Sequence, residues 1–208
     1  MKNCSLEGIE NIIFDLGMVI INLDKQATPK AFEKLCEEEY AATMDRLNQE
    51  KFFEAYETGK ISTDDFVNRL KHEIGGNTSA IEVENAWNAM LNDIPERRFE
   101  ILQESKAKYR TFCLSNTNDL HIRFIYQMLK EEKGIPNLDQ YFEKVYLSHE
   151  MGQRKPDVEI FETVIVEQGL QAAKTLFIDD TAEHLEGARK AGLNTFHLVD
   201  GIVLEQLF

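Results

Sequence analysis

The chain has 208 residues, 43% of them apolar, which is enough for one core of ordinary size or a main domain with a smaller insert, and it argues against disorder. A formal charge of −14, spread along the chain rather than gathered in a tail, makes phosphate-rich nucleic acid a poor partner. No apolar run reaches membrane-spanning length, MKNCSLEG lacks the apolar stretch of a signal peptide, and Cys4, Cys36 and Cys113 fit neither a disulfide nor a zinc pattern, so a reducing cytoplasm and no membrane are expected.

The first element is an apolar strand, Asn11–Leu16, delivering Asp15 into a loop that contains Gly17. From about Asp24 to Asp93 no convincing strand occurs, and apolar residues recur at helical spacing, as in Phe66, Leu70 and Ile74. Ser62 or Thr63 caps that helix, Gly75-Gly76 ends it, and Ser79 with Glu82 has capping-box spacing ahead of a helix carrying Trp87, Met90 and Leu91. Roughly four helices are expected here. They separate the first strand from the rest of the sheet, so residues 23–94 read as an inserted helical domain, with 1–22 and 95–208 forming the main one.

Four further strands come next: Arg110–Leu114, Lys144–Leu147, Thr175–Ile178 and Thr195–Val199. Helical patterns over Pro156–Gln168 and Ala182–Ala191 separate the later ones. Pro156 suits a first helical position, Asp157 and Glu159 suit the positive end of that helix, and Gly169 and Gly192 suit helix stops. Alternating buried strands and helices predict an α/β fold, a doubly wound parallel sheet covered on both faces.

In such a sheet ligands bind beyond the carboxyl ends of the strands. Those ends offer Asp15, then Ser115-Asn116-Thr117-Asn118, then Arg154-Lys155-Pro156 after a loop, then Asp179-Asp180. Each alone has an ordinary structural explanation: a turn cap, loop chemistry, a solvated lysine, a helix cap. Four together at one edge make a site. Asp15 with Asp179 or Asp180 forms a cluster of hard oxygens that repels itself unless a cation is present, and magnesium suits it. A metal, Lys155, the Ser115 hydroxyl and a carboxylate then describe a site for a phosphoryl group, with Asp15 placed to accept it.

These motifs resemble the haloacid dehalogenase-like (HAD) superfamily, and within it the phosphatases with a helical cap after the first motif. FDLGMVI, CLSNT, GQRKPD and LFIDDTAEHLEGARKAG match the four motifs in order, spanning Asn11 to Val199. The group that includes bacterial α-glucose-1-phosphate phosphatase also reads FDLG with a helical cap. The resemblance implies a Rossmann-like core and Asp15 as nucleophile. It also implies Ser115 and Asn116 as phosphate contacts and Lys155 as charge stabiliser. Magnesium would be held by Asp15, the carbonyl of Gly17 and a motif-four acid, Asp180 being favoured as direct ligand with Asp179 beside it. The expected activity is a magnesium-dependent phosphatase acting on a small phosphorylated metabolite, sugar phosphates among the candidates, by a monomer or homodimer.

Two departures stand out. Most phosphatases of the superfamily carry a second aspartate two places after the nucleophile, which protonates the leaving alcohol and activates water. Here that place is Gly17, a loss worth about 10²–10⁴ in rate for a typical acid–base residue. His184 stands where an amide or acid is frequent, and it reads as an exposed residue supporting the loop. His72, His121, His149 and His197 show no metal-ligand spacing, and His197 reads as a core residue of a strand. The Phe52-Phe53-Glu54-Tyr56 region is a candidate for substrate contact, and packing among the inserted helices explains it equally well. Two alternatives stay open: a 2-haloacid dehalogenase, which needs no metal, and a non-catalytic phosphate-binding regulator, which Gly17 permits.

Overall fold

The computed structural model describes residues 6–36, 40–75, 77–198 and 204. Cys4, Gly76 and Val199 therefore lie outside the described residues. Five parallel strands, β1 (Asn11–Phe14), β2 (Arg110–Ser115), β3 (Lys144–Leu147), β4 (Thr175–Asp179) and β5 (Asn194–His197), form one sheet in the order β3-β2-β1-β4-β5. Every expected strand is present, β3 at its expected bounds and the others with ends shifted by one or two residues. β1 ends at Phe14, because the chain turns at once into the tight loop that carries Asp15.

Between β1 and β2 run α1 (Ala27–Glu33), α2 (Tyr40–Gln49), α3 (Phe52–Glu57), α4 (Thr63–Ile74), α5 (Ala80–Asn88) and α6 (Glu96–Lys106). After β2 come α7 (Asp119–Lys133), α8 (Ser148–Met151), α9 (Val158–Gln168) and α10 (Ala182–Lys190). Side chains alternate across β1, and each face is covered. Ile12 and Phe14 pack with Ile101 and Leu102 of α6 and Ile125 of α7, while Ile13 packs with Ile160 and Phe161 of α9 and Leu185 of α10. This is the doubly wound parallel arrangement.

α1 to α5 build a third cluster around Phe32, Phe66, Leu70 and Val83, which the core helix α7 joins through Leu120. Five helices stand there among the described residues, one more than expected. Ser62 caps α4, accepting from Asp65 N–H, Gly75 ends it at φ 80°, and Ser79 with Glu82 forms a complete capping box. The chain enters and leaves this unit side by side: Asn22 N–H donates to Asp93 O, Asn92 N–H to Asn22 O and Asp24 N–H to Met90 O.

The structure corrects three expectations. Pro156 is not in α9: the peptide Lys155-Pro156 is cis, and Asp157 is the N-cap ahead of Val158. His197 is not a core residue; its Nε2 lies 3.0 Å from the carbonyl of Asp180 and tethers that loop. His184 is 17% exposed in its side chain rather than open, and it supports the loop by contacting Asp179. Of the two readings of the Phe52-Phe53-Tyr56 aromatics, packing is the one observed: Phe52 and Tyr56 stack on Phe66, and Phe53 stacks on Trp87.

Candidate functional site

The strand order reverses at β1, the place where a doubly wound sheet opens a crevice. Phe14 is in register with Cys113 of β2 and Ile178 of β4, so one residue further Asp15 comes level with Asp179. The Asp15 N–H donates to Ile178 O at 2.9 Å, fixing the first residue of the loop to the neighbouring strand.

Lys155 is fully buried between these two acids. Its Nζ donates to Asp15 Oδ1 at 2.6 Å and to Asp179 Oδ2 at 2.7 Å. Asn116 holds it there: the amide donates to Lys155 O and accepts from Lys155 N–H, both at 2.8 Å. The side chain of Asn116 is thus engaged on the lysine backbone. The Ser115 hydroxyl, at the end of β2, makes a 3.4 Å contact to Asn116 O.

Asp179 is saturated. Besides Lys155 it accepts from Thr181 N–H at 2.7 Å, and His184 Nδ1 lies 3.0 Å and 3.1 Å from its two oxygens. Asp180, beside it, is more open and faces Lys25 Nζ at 3.1 Å. One ligand atom from each of Asp15, Asp179 and Asp180 falls within 4.8 Å of the others. Among the described residues these three are the one such group.

The electrostatics follow from two acids sharing one lysine. Burial pushes the Asp15 carboxyl up to about 6; Lys155 opposes the rise and the charge of Asp179 adds to it. Burial also acts to raise Asp179, but Lys155 and the His184 contact outweigh it and hold that carboxyl at about 2. Burial disfavours the Lys155 ammonium, yet the flanking carboxylates raise its pKa. The site therefore carries negative charge that its own lysine does not neutralise.

Gly17 packs close to the end of the Leu23 side chain. A Cβ there would lie 2.9 Å from Leu23 Cδ1, and the left-handed residue of the loop is the next one, Met18, at φ 59°. Leu16 O accepts from the N–H groups of Ile20 and Ile21, folding the loop into a compact turn. A larger residue at 17 would need the Leu23 side chain to turn aside.

Beside the acids a cavity of about 170 Å³ opens between the core and the inserted helices. Its walls include Gly17, Leu23, Glu57, Trp87, Asn116 and His121. The imidazole of His121 is held at both nitrogens, by Trp87 O at 3.3 Å and Asn118 Nδ2 at 3.2 Å, and burial lowers its pKa to about 4. Glu57 reaches the cavity from α3 and pairs with Arg154, the residue before Lys155, at 3.1 Å. No sequence signal marks His121, Glu57 or Lys25 for this role, and Arg154 stands in the sequence only as part of the cationic Arg154-Lys155 pair after the third strand. Glu57 lies one residue beyond the Phe52-Tyr56 stretch singled out as a substrate-contact region.

An acid-bearing loop at the switch point, a buried lysine between two strand-end carboxylates and a helical insert over the cavity define a hydrolase of the HAD kind. A sequence model of haloacid dehalogenase-like hydrolases matches residues 12–198, and the chain belongs to this family. It is similar to D-ribitol-5-phosphate phosphatase of Bacteroides thetaiotaomicron, with 31% identity over 193 residues and 93% of each chain covered. It also superposes on the HAD family enzyme bt-2542 from Bacteroides thetaiotaomicron with TM-score 0.90 and 32% identity, covering 97% of this chain and 99% of the other. A complex of that enzyme with magnesium and inorganic phosphate superposes at TM-score 0.83 and 32% identity, with 96% and 99% covered. The L-2-haloacid dehalogenase of Xanthobacter autotrophicus shares the fold at TM-score 0.57 and 17% identity, over 91% of this chain and 77% of that one.

Proposed function

We propose that this chain is a magnesium-dependent phosphatase for a small phosphorylated metabolite, sugar phosphates and polyol phosphates being the first candidates. The observation that carries the reading is the trio Asp15, Asp179 and Asp180, the first two sharing one buried lysine. Uncompensated acid of this kind suits a hard divalent cation, and the raised Asp15 pKa expresses the same need. Asp15, Asp180 and the carbonyl of Gly17 would hold it, with Asp179, already saturated, positioning Lys155 and the loop. When bound, the cation neutralises phosphoryl oxygens.

The chain's own groups do the rest. Lys155 orients Asp15 and balances charge on the phosphoryl group, and Ser115 and backbone N–H groups beside it hold its oxygens. Asp15 attacks phosphorus in line with the leaving oxygen, giving an aspartyl-phosphate that water then cleaves. Residues 23–94 serve as a cap domain that excludes bulk water and shapes the leaving-group cavity. The similarity to a D-ribitol-5-phosphate phosphatase and to an enzyme crystallised with magnesium and phosphate supports the same chemistry. A cytoplasmic monomer or homodimer fits the composition.

The test is a screen of phosphate release over sugar and polyol phosphates with magnesium, comparing wild type with Asp15→Asn. Turnover that needs both magnesium and Asp15 is expected. Full activity in EDTA, or an Asp15→Asn variant equal to wild type, would sink the reading; dechlorination of 2-chloropropionate without metal would replace it with the dehalogenase one.

A further inference from the structure

Phosphoryl transfer to Asp15 expels an alkoxide, which needs a proton, and the later attack by water must lose one. Position 17 cannot serve, since Gly17 has no side chain to carry a proton. A group facing the same cavity is placed to do so. Of the cavity's lining side chains, two can exchange a proton near neutral pH: Glu57 and His121. His121 is excluded by its bonds. Both its nitrogens are engaged, with Trp87 O and with Asn118, and the Trp87 ring stacks on it at 5.3 Å.

We propose that Glu57, brought over the site by α3 of the insert, carries the leaving-group proton in place of the side chain missing at Gly17. This rests on the phosphatase reading above. As the P–O bond to the alcohol breaks and the Asp15–phosphorus bond forms, the Glu57 carboxyl gives its proton to the departing oxygen and becomes a carboxylate. That carboxylate then accepts a proton from the attacking water, whose oxygen bonds to phosphorus while the Asp15–phosphorus bond breaks. Asp15 and protonated Glu57 are restored, and the sum is one water consumed per alcohol and phosphate formed.

The surroundings of Glu57 suit the task. Burial raises its pKa, opposed by Arg154, and Glu54 on its own helix adds to the rise, while His184 on α10 lowers it. Arg154 holds one carboxylate oxygen at 3.1 Å, so the group has a fixed direction. Because Arg154 adjoins Lys155, the insert's acid and the core's cation are fixed by successive residues of one loop.

The test is Glu57→Gln, which keeps an acceptor for Arg154 but cannot release a proton. Two substrates are compared with magnesium present: p-nitrophenyl phosphate, whose leaving group departs unaided, and the alkyl phosphate that wild type hydrolyses fastest. kcat/KM for the alkyl phosphate should fall by about 10²-fold or more, within the ordinary range for an acid–base group, and at least tenfold further than for p-nitrophenyl phosphate. The variant should also lose the decline of alkyl-phosphate kcat/KM that wild type shows as pH rises and Glu57 ionises. Equal losses on the two substrates, or an unchanged pH profile, would make Glu57 a structural link to Arg154 and overturn the proposal. Wild type inactive on every phosphate ester would instead remove the phosphatase reading, and this one with it.

Discussion

Replacing Lys155 by Met tests the electrostatic logic of the site without reference to substrate. The ammonium is fully buried and makes two short charged hydrogen bonds, at 2.6 Å and 2.7 Å, to carboxylates that are themselves buried. Met matches the length and removes the charge. Taking one partner out of a buried ion network leaves uncompensated charge and typically costs about 3–5 kcal/mol. For a chain of this size each kcal/mol lowers Tm by about 2–4 °C, so a drop of roughly 6–20 °C is expected at pH 8. The sign with pH is fixed. Without Lys155 both folded carboxyls lose the charge that lowers their pKa values, so Asp15 rises further above its unfolded value and Asp179 rises from below its own, and the folded state binds protons more tightly than in wild type. The deficit should shrink as pH falls from 8 to 5. Urea unfolding of both proteins in EDTA at the two pH values measures it. A deficit under about 1 kcal/mol at pH 8, or one of equal size at pH 5, would refute the view that Lys155 is the counter-charge of this pair.

Asp15→Asn should do the opposite to stability while removing activity. The Asp15 carboxyl sits at about 6 in the folded chain against an ordinary 3.8, so its ionisation above pH 6 opposes folding by about 3 kcal/mol. The metal-free variant should therefore unfold at a higher temperature than wild type at pH 8 and show little gain at pH 4; a lower Tm at pH 8 would contradict the raised pKa. Magnesium, titrated into wild type by calorimetry or thermal shift, should stabilise it more at pH 8 than at pH 5, since protons compete for Asp15. Gly59→Ala should loosen the junction of insert and core. Gly59 has φ 66°, and a Cβ there would lie 2.2 Å from the carbonyl of His149, so left-handed strain of about 1–2 kcal/mol adds to a backbone clash. A loss below about 1 kcal/mol by urea unfolding would show that the two units do not meet at this point.

The strands and the acids at their ends were legible because both depend on local pattern. Apolar β-branched runs mark β1, β2 and β4, and in a parallel sheet the residue after each strand is carried to one edge, so Asp15, Ser115 and Asp179 could be placed together from order alone. Lys155 was legible only as a cation near that edge; its complete burial depends on Asn116 gripping its backbone from 39 residues away. Pro156 was misplaced because a proline suits both a helix start and a turn, and the turn won when α9 began at Val158. Glu57 and His121 were not legible, and Arg154 was legible only as a cation beside Lys155, not as the partner of Glu57. Their placing is set by how α3, the loop before Lys155 and α7 pack against one another, which no spacing within a single segment encodes. Gly17 reads in sequence as a missing acid. In the fold it lies against the end of the Leu23 side chain, six residues on.

The claim on which the rest depends is that Asp15 accepts the phosphoryl group. Wild type mixed with magnesium and its best phosphate ester, quenched in acid within milliseconds and digested, should give a phosphorylated peptide containing Asp15 by mass spectrometry. The adduct should be absent in EDTA and in Asp15→Asn. Steady hydrolysis with no adduct on Asp15, and an Asp15→Asn variant that still turns over, would contradict the account.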